Sequence, residues 1–379
     1  MKLRSFGLKA WPFVGVALVQ GLLVLAHWFI YRTLIVFFAP RSPEVILALR
    51  YSLLVLAFSF IVSALLSFRF SNPLITLAYR IAAVWLGFLN CFFFAACFTW
   101  LAWLAVLLAF QQKYPHHHRD LVASVFFIPA FLAGVYGILN ALWIRTRRVT
   151  IQLPYLPPSW NNRRALLISD LHLGSVNGPG FSRRIASMAA RLSPDIVFIP
   201  GDFFDGAKTD PDKLAAPFRE LSPPLGIYFV SGNHDEYGNL PRYTEALTKA
   251  GIRVLSNERV TVDGLHIIGV PYSGSSNVAL RNFLESLKLS RAEPSILLNH
   301  VPSRLPVVEQ TGVCLQLSGH THKGQIFPFT WFVRRAFGRF AYGLQRFGSM
   351  QIYTSSGAGT WGPPMRVGTN SEIVVLKFE

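Results

Sequence analysis

Ile196-Val-Phe-Ile-Pro-Gly-Asp-Phe-Phe-Asp205 is the stretch on which the reading of this chain turns. A short, β-rich apolar run reads as a strand, and the glycine after it permits a tight turn that aims Asp202 inward from the strand end. Outward from it the pattern repeats: Ile168-Ser-Asp-Leu-His172 before it, then Ser231-Gly-Asn-His-Asp235, Leu298-Asn-His300 and Ser318-Gly-His-Thr-His322 after it. Gly232 and Gly319 are given the same turning role as Gly201. Five strand ends in order, each finishing in metal-ligand residue types, point to a two-metal site and hydrolytic phosphate chemistry.

Short apolar runs fall at residues 165–168, 196–199, 227–230, 254–255, 266–270, 296–298, 313–317, 352–354 and 373–376. Helix-like stretches separate several of them, at 181–192, 211–221, 243–250 and 277–289. Alternation of this kind favours a layered α/β domain, whose active-site edge lies beyond the carboxyl ends of its strands.

Hard divalent cations take carboxylate and amide oxygens, and manganese, iron and zinc also take imidazole nitrogen. Asp170, His172, Asp202, Asn233, His300, His320 and His322 offer that mixed set. Asp202 is the natural bridge, one oxygen for each ion. Singly, each motif has an ordinary explanation: a helix cap, a core histidine, a turn. Their order and their common place at strand ends carry the reading.

These blocks, D-x-H, G-D-x-x-D, G-N-H-D, a later His, and G-H-x-H, resemble the signature of the calcineurin-like metallophosphoesterase superfamily. The resemblance covers roughly residues 150–379. It implies a four-layer sandwich of two mixed sheets flanked by helices. It implies one ion on Asp170, His172, Asp202 and His322, and a second on Asp202, Asn233, His300 and His320. Two divalent ions are expected (Mn, Fe, Zn or Mg, manganese first), with a hydroxide bridging them as nucleophile. His234 would face the phosphate as the catalytic acid, with Asp205 or Asp235 behind it. Gly319-His-Thr-His-Lys-Gly-Gln325, Ser355-Ser-Gly-Ala-Gly359 and Pro364-Met-Arg366 resemble the membrane-associated bacterial branch of YkuE and YaeI type. Lys323 stands where that branch usually has glycine, either as a cation for a phosphate or as a solvated lysine. Asp205, Asp235, Lys323 and Arg366 are the candidates for touching substrate or supporting the ligands.

The formal charge of +17 is uneven: residues 1–150 carry +11 with only Glu44 and Asp120 as acids, and the rest carries +6. The basic residues of the first part border long apolar segments at 11–38, 52–68, 81–110 and 123–143. They read as four transmembrane helices, each near the roughly 20 residues a bilayer requires, so lipid rather than nucleic acid is the expected partner. Lys2, Arg4, Lys9, Arg69, Arg80, Arg145, Arg147 and Arg148 lie on one side, against Arg32, Arg41, Arg50, Lys113 and Arg119 on the other. This favours a multi-pass plasma (inner) membrane protein with its catalytic domain in the cytoplasm. The expected division is a membrane domain at 1–148, a Pro- and Arg-rich linker at 149–164 and the catalytic domain at 165–379. Three scattered cysteines make no disulfide framework, and the His116-His-His118 triplet is given no role.

Residues 327–347 interleave Phe329, Trp331, Phe332, Phe337, Phe340 and Tyr342 with Arg334, Arg335, Arg339 and Arg346. The segment reads either as an interfacial helix or as an amphipathic one packed on its own domain. A phosphoesterase joined to a membrane anchor suggests a lipid-linked phosphate or diphosphate, with UDP-2,3-diacylglucosamine the leading example by resemblance. The alternatives are a broad phosphodiesterase on phospholipids or nucleotides, a phosphate-binding receptor or scaffold, and a transporter, the last disfavoured by nearly charge-free helices. The oligomeric state is not legible.

Overall fold

The computed structural model describes residues 3–109 and 118–379, with side chains from residue 14. Lys2, Lys113, His116 and His117, and the side chains of Arg4, Lys9 and Trp11, lie outside what is described. The chain forms two compact units, Met1–Gly137 and Ile138–Glu379.

The first unit contains α1 (Leu3–Phe38), α2 (Pro43–Arg69), α3 (Pro73–Ala109) and most of α4 (Arg119–Leu142). All four are long and apolar enough to cross a membrane, over 25, 27, 37 and 24 residues. The second is longer than its apolar run, because Ser42 caps it and Pro43 opens it, placing Arg50 inside the helix. Polar side chains join α1 to α3 at two places among the described residues. The Trp85 indole donates to His27 Nε2 at 2.8 Å, and His27 Nδ1 lies 2.7 Å from the Leu23 carbonyl, which can only accept. His27 is therefore a neutral staple between α1 and α3, and Trp100 donates to Thr33 in the same way.

The second unit is built on two mixed six-stranded sheets. The first runs β1 (Arg145–Ile151), β12 (Glu372–Phe378), β2 (Arg164–Leu167), β3 (Ile196–Pro200), β4 (Ile227–Val230) and β5 (Ile252–Val254). Its β2 to β5 are parallel, and β12 is antiparallel to β2. The second runs β10 (Gly343–Phe347), β11 (Met350–Thr354), β9 (Leu315–Ser318), β8 (Ser295–Asn299), β7 (Leu265–Val270) and β6 (Glu258–Val262), with β11, β9, β8 and β7 parallel.

Side chains alternate across a strand, and here both faces are covered. Ala165, Leu167, Ile196 and Phe198 point into the layer between the sheets, where they meet Ile267, Ile296, Leu298 and Leu317. Leu166, Val197 and Ile199 face outward to α5 (Pro179–Arg191) and α8 (Leu240–Lys249). Ile268 and Leu297 of the second sheet face α9 (Asn277–Ser286) and α10 (Leu305–Gln310). The result is the expected order of layers: helix, sheet, sheet, helix. Three short helices complete the unit: α6 (Pro211–Ala215), α7 (Asn233–Tyr237) and α11 (Phe329–Phe337).

Two expectations are corrected. Residues 145–151 are not approach to a linker: Arg145 to Ile151 pair in parallel with Glu372 to Phe378, so the domain begins as α4 ends. An edge strand needs a partner on one side only, which lets an Arg-rich run serve. Residues 327–347 are not one amphipathic segment either, since α11 gives way to a 3-10 turn (Gly338–Ala341) and then to β10.

Candidate metal centre

Every motif follows a parallel strand at its carboxyl end. Asp170 and His172 follow β2, Asp202 follows β3, Asn233 follows β4, His300 follows β8, and His320 and His322 follow β9. The two sheets thus supply three loops and two loops to one edge. Backbone bonds stitch the loops together: Asp170 N–H to Gly201 O (3.2 Å), His172 N–H to Asp202 O (3.0 Å) and Gly319 N–H to His300 O (3.0 Å).

Asp170, His172, Asp202, His320 and His322 all adopt left-handed φ, between 45° and 70°. Each such non-glycine residue costs about 1–3 kcal/mol, which the surrounding packing must hold in place. The glycines divide the work differently from expectation. Gly201 does turn the chain, with φ +95°. Gly232 and Gly319 are needed for room instead, because a Cβ on the first would strike the Asp202 carboxylate and one on the second the Asp170 carboxylate.

The seven side chains converge. His172 Nε2 lies 3.0 Å from His322 Nε2 and 3.6 Å from Asp202 Oδ2, and His322 Nε2 lies 3.7 Å from Asp170 Oδ1. On the other side His300 Nε2 lies 3.2 Å from both Asp202 Oδ2 and Asn233 Oδ1, and His320 Nδ1 lies 3.0 Å from Asn233 Oδ1 and 3.3 Å from His300 Nε2. Asp202 therefore faces both groups, through a single oxygen, Oδ2. Its other oxygen accepts the His234 backbone N–H at 2.9 Å, so the one-oxygen-each arrangement expected from sequence is not what the loop provides. Asp170/His172/His322, His172/Asp202/His234 and Asp170/Asp202/His300 are each compact enough to hold an ion.

Burial sets the protonation of the cluster. It lowers His172 to about 3 and His320 to about 4, and holds His322 well below its usual value, leaving neutral rings with lone pairs to offer. Burial also opposes a charged His300, but the Asp202 carboxylate outweighs it and raises the ring to about 9. Asp202 is correspondingly held low by His300 and the neighbouring histidines against the effect of burial. The Pro200 carbonyl, 2.8 Å from His300 Nδ1, fixes a proton on that nitrogen and turns Nε2 to the cluster.

The supporting candidates sort clearly. His234 Nδ1 is 3.2 Å from the backbone carbonyl of Asp205, not from either candidate carboxylate, and its ring is 4.8 Å from that of His172. Both carboxylates are loop braces, Asp235 buried and Asp205 half-buried. Asp235 accepts the N–H groups of Gly232 and Phe204, and Asp205 those of Ser175 and Ala207. Arg366 is fully buried and donates to the carbonyls of His322, Ser356, Gly357 and Gly359, which makes it a brace for the His322 loop rather than a substrate contact. Lys323 is half-buried, with its ammonium 4.3 Å from the centre of the Tyr342 ring. Sequence reasoning missed Ser169, which donates to Asp170 Oδ2 at 2.6 Å, and Trp361 and Tyr237, whose rings lie 5.5 and 5.9 Å from that of His234. Only Ser169 had a signal, its place beside the D-x-H block.

Carboxylates, an amide oxygen and imidazoles gathered at five parallel strand ends of a four-layer sandwich define a metal-dependent phosphoesterase. The family model described as calcineurin-like phosphoesterase matches residues 163–324. An uncharacterized metallophosphoesterase of Aquifex aeolicus is 33% identical over 66% of this chain and 97% of its own length. One of Campylobacter jejuni is 29% identical over 94% of this chain and 95% of its own. A transmembrane protein with metallophosphoesterase domain from Danio rerio is 35% identical over 66% of this chain and 61% of its own. The chain belongs to the calcineurin-like phosphoesterase family.

Proposed function

We propose that this chain is a membrane-anchored, dinuclear phosphoesterase that hydrolyses a phosphate ester or diphosphate of a lipid-linked substrate such as UDP-2,3-diacylglucosamine. The observation that carries the dinuclear reading is Asp202 Oδ2, which stands between two groups of imidazoles. The donor set fits two ions. With metal–ligand bonds of about 2.1 Å, ligands at right angles on one ion lie about 3 Å apart, close to the 3.0–3.7 Å found between neighbouring donor atoms. Asp170, His172, Asp202 and His322 would hold one ion, and Asp202, Asn233, His300 and His320 the other, with manganese the first candidate. When bound, such ions supply a nucleophile from water near neutral pH and neutralise charge on the phosphoryl oxygens.

The chain's own residues do the rest. Pro200 O and Ser169 Oγ orient His300 and Asp170, and Arg366 fixes the backbone that presents His322. His234 carries a proton on Nδ1 toward Asp205 O, so Nε2 gives a proton to the departing oxygen only from the imidazolium form, once it has itself taken up a second proton from water.

The lipid-linked class is supported by four apolar helices in the same chain and by the transmembrane naming of a relative. The basic flanks support a cytoplasmic catalytic domain in the plasma membrane. Purified in detergent, the protein should turn over lipid diphosphates faster than soluble phosphodiesters and nucleotides when all are offered with Mn, Mg, Fe and Zn. A preference for soluble nucleotides would replace the lipid-linked reading with the broad phosphodiesterase one. A reporter joined after Glu379 that is active only outside the cytoplasm would reverse the orientation.

A further inference from the structure

Seven large hydrophobic side chains are exposed between residues 165 and 379, and six of them are aromatic: Tyr237, Phe327, Phe329, Trp331, Phe332 and Trp361. Phe327, Phe329, Trp331 and Phe332 lie on α11 or just before it. Tyr237 and Trp361 flank His234, while α11 leaves the His322 turn and returns Phe337 to 6.2 Å from the His320 ring. Only Val278 stands apart, on α9. Scattered exposed apolar residues are ordinary; a set confined to one mouth marks an interaction surface.

The last turn of α4 shows what covers it. This turn ends an apolar helix of membrane-spanning length, and Trp143 beyond it is exposed with the Arg145 guanidinium 4.6 Å above its ring, as at a membrane–water boundary. Asn140 in the same turn donates to the carbonyls of Arg366 and Thr369, both at 2.8 Å, and Ser371 Oγ donates to Ala141 O. The loop so fastened carries the rim: Phe327 N–H bonds to Val367 O at 3.0 Å. The rim is therefore tied, through two buried hydrogen bonds, to the point where the chain leaves the apolar layer. Exposed Arg334, Arg335, Arg339 and Arg346 lie beside the aromatics and suit lipid phosphate.

We propose that this aromatic rim rests in the headgroup layer of an anionic phospholipid bilayer, so that the metal centre opens onto the membrane surface and receives its substrate laterally from the lipid phase. The proposal deepens the phosphoesterase reading by naming where the substrate comes from. Only the kinetic arm of its test rests on that reading.

The test uses the full chain with Cys91 and Cys97 changed to Ala, in nanodiscs of phosphatidylglycerol and phosphatidylcholine, with a nitroxide at Trp331→Cys or at Val278→Cys. The label at 331 should collide with oxygen and be shielded from a water-soluble nickel reagent, and the label at 278 should show the reverse. Equal access of the nickel reagent to both would overturn the proposal, whether or not the chain is an enzyme. In the kinetic arm, Phe329→Ser/Trp331→Ser should hold kcat/KM on soluble bis(p-nitrophenyl) phosphate within about twofold and lose at least tenfold on hexadecyl p-nitrophenyl phosphate presented in vesicles. Equal losses on both, or on neither, would overturn it. Hydrolysis of neither probe by the unaltered chain would sink the phosphoesterase reading and leave the nitroxide result to judge the rim.

Discussion

His300 and Asp202 share a proton that an ion must displace. His300 is raised to about 9 by Asp202, so at pH 7 the ring is protonated in the metal-free cluster, and ligation through Nε2 requires that proton to leave. Metal uptake at pH 7 should therefore release about one proton per chain from this pair, and affinity should fall as pH is lowered. Calorimetry in buffers of different ionisation enthalpy measures the release, and uptake without any proton release would refute this account of the pair. His234 behaves differently, because its role is proton donation and not holding an ion. His234→Ala should leave metal content unchanged while turnover falls by about 10²–10⁴ for an alkoxide leaving group, and by much less for p-nitrophenol, which departs without help. Equal losses on both leaving groups would reassign His234 to positioning. The brace Arg366 is buried against four carbonyls, so Arg366→Met should lower the melting temperature and loosen metal binding together.

At the scale of elements, the interior layer between the sheets holds the five ligand loops in register. Phe198 of β3 is fully buried there. Phe198→Ala should destabilise the second unit by about 3–5 kcal/mol, seen as earlier thermal unfolding in detergent, whereas exposed Val278→Ser should leave the transition in place. The elements legible from sequence are those buried on both faces, since β2, β3, β4, β7 and β8 are continuous apolar runs. What escaped was β1, whose Arg145-Thr-Arg-Arg reads as linker until β12 is beside it, and β6 and β10, whose polar residues hide edge strands. The ligand set was legible for a different reason: short turn motifs keep spacing even when their contacts are distant. Asp205, Asp235, Lys323 and Arg366 could be named but not assigned, because whether a charged side chain braces a loop or meets a substrate depends on what folds over it. Trp361 and Tyr237 gave no signal at all, being aromatics among 53 in the chain.

The whole molecule sets four apolar helices of membrane-spanning length before a unit whose donor set fits two ions. Most of the proposed function stands or falls with those ions. The most direct measurement is to strip the detergent-solubilised full chain with chelator, restore Mn, Fe, Zn or Mg in turn, and follow bound metal together with hydrolysis of bis(p-nitrophenyl) phosphate, beside Asp202→Asn. The predicted result is activity that returns with about two ions per chain and is absent in Asp202→Asn, which should bind less metal because its amide is a poorer bridge than Asp202 Oδ2. Hydrolysis that survives chelation, or that Asp202→Asn retains in full, would contradict the account.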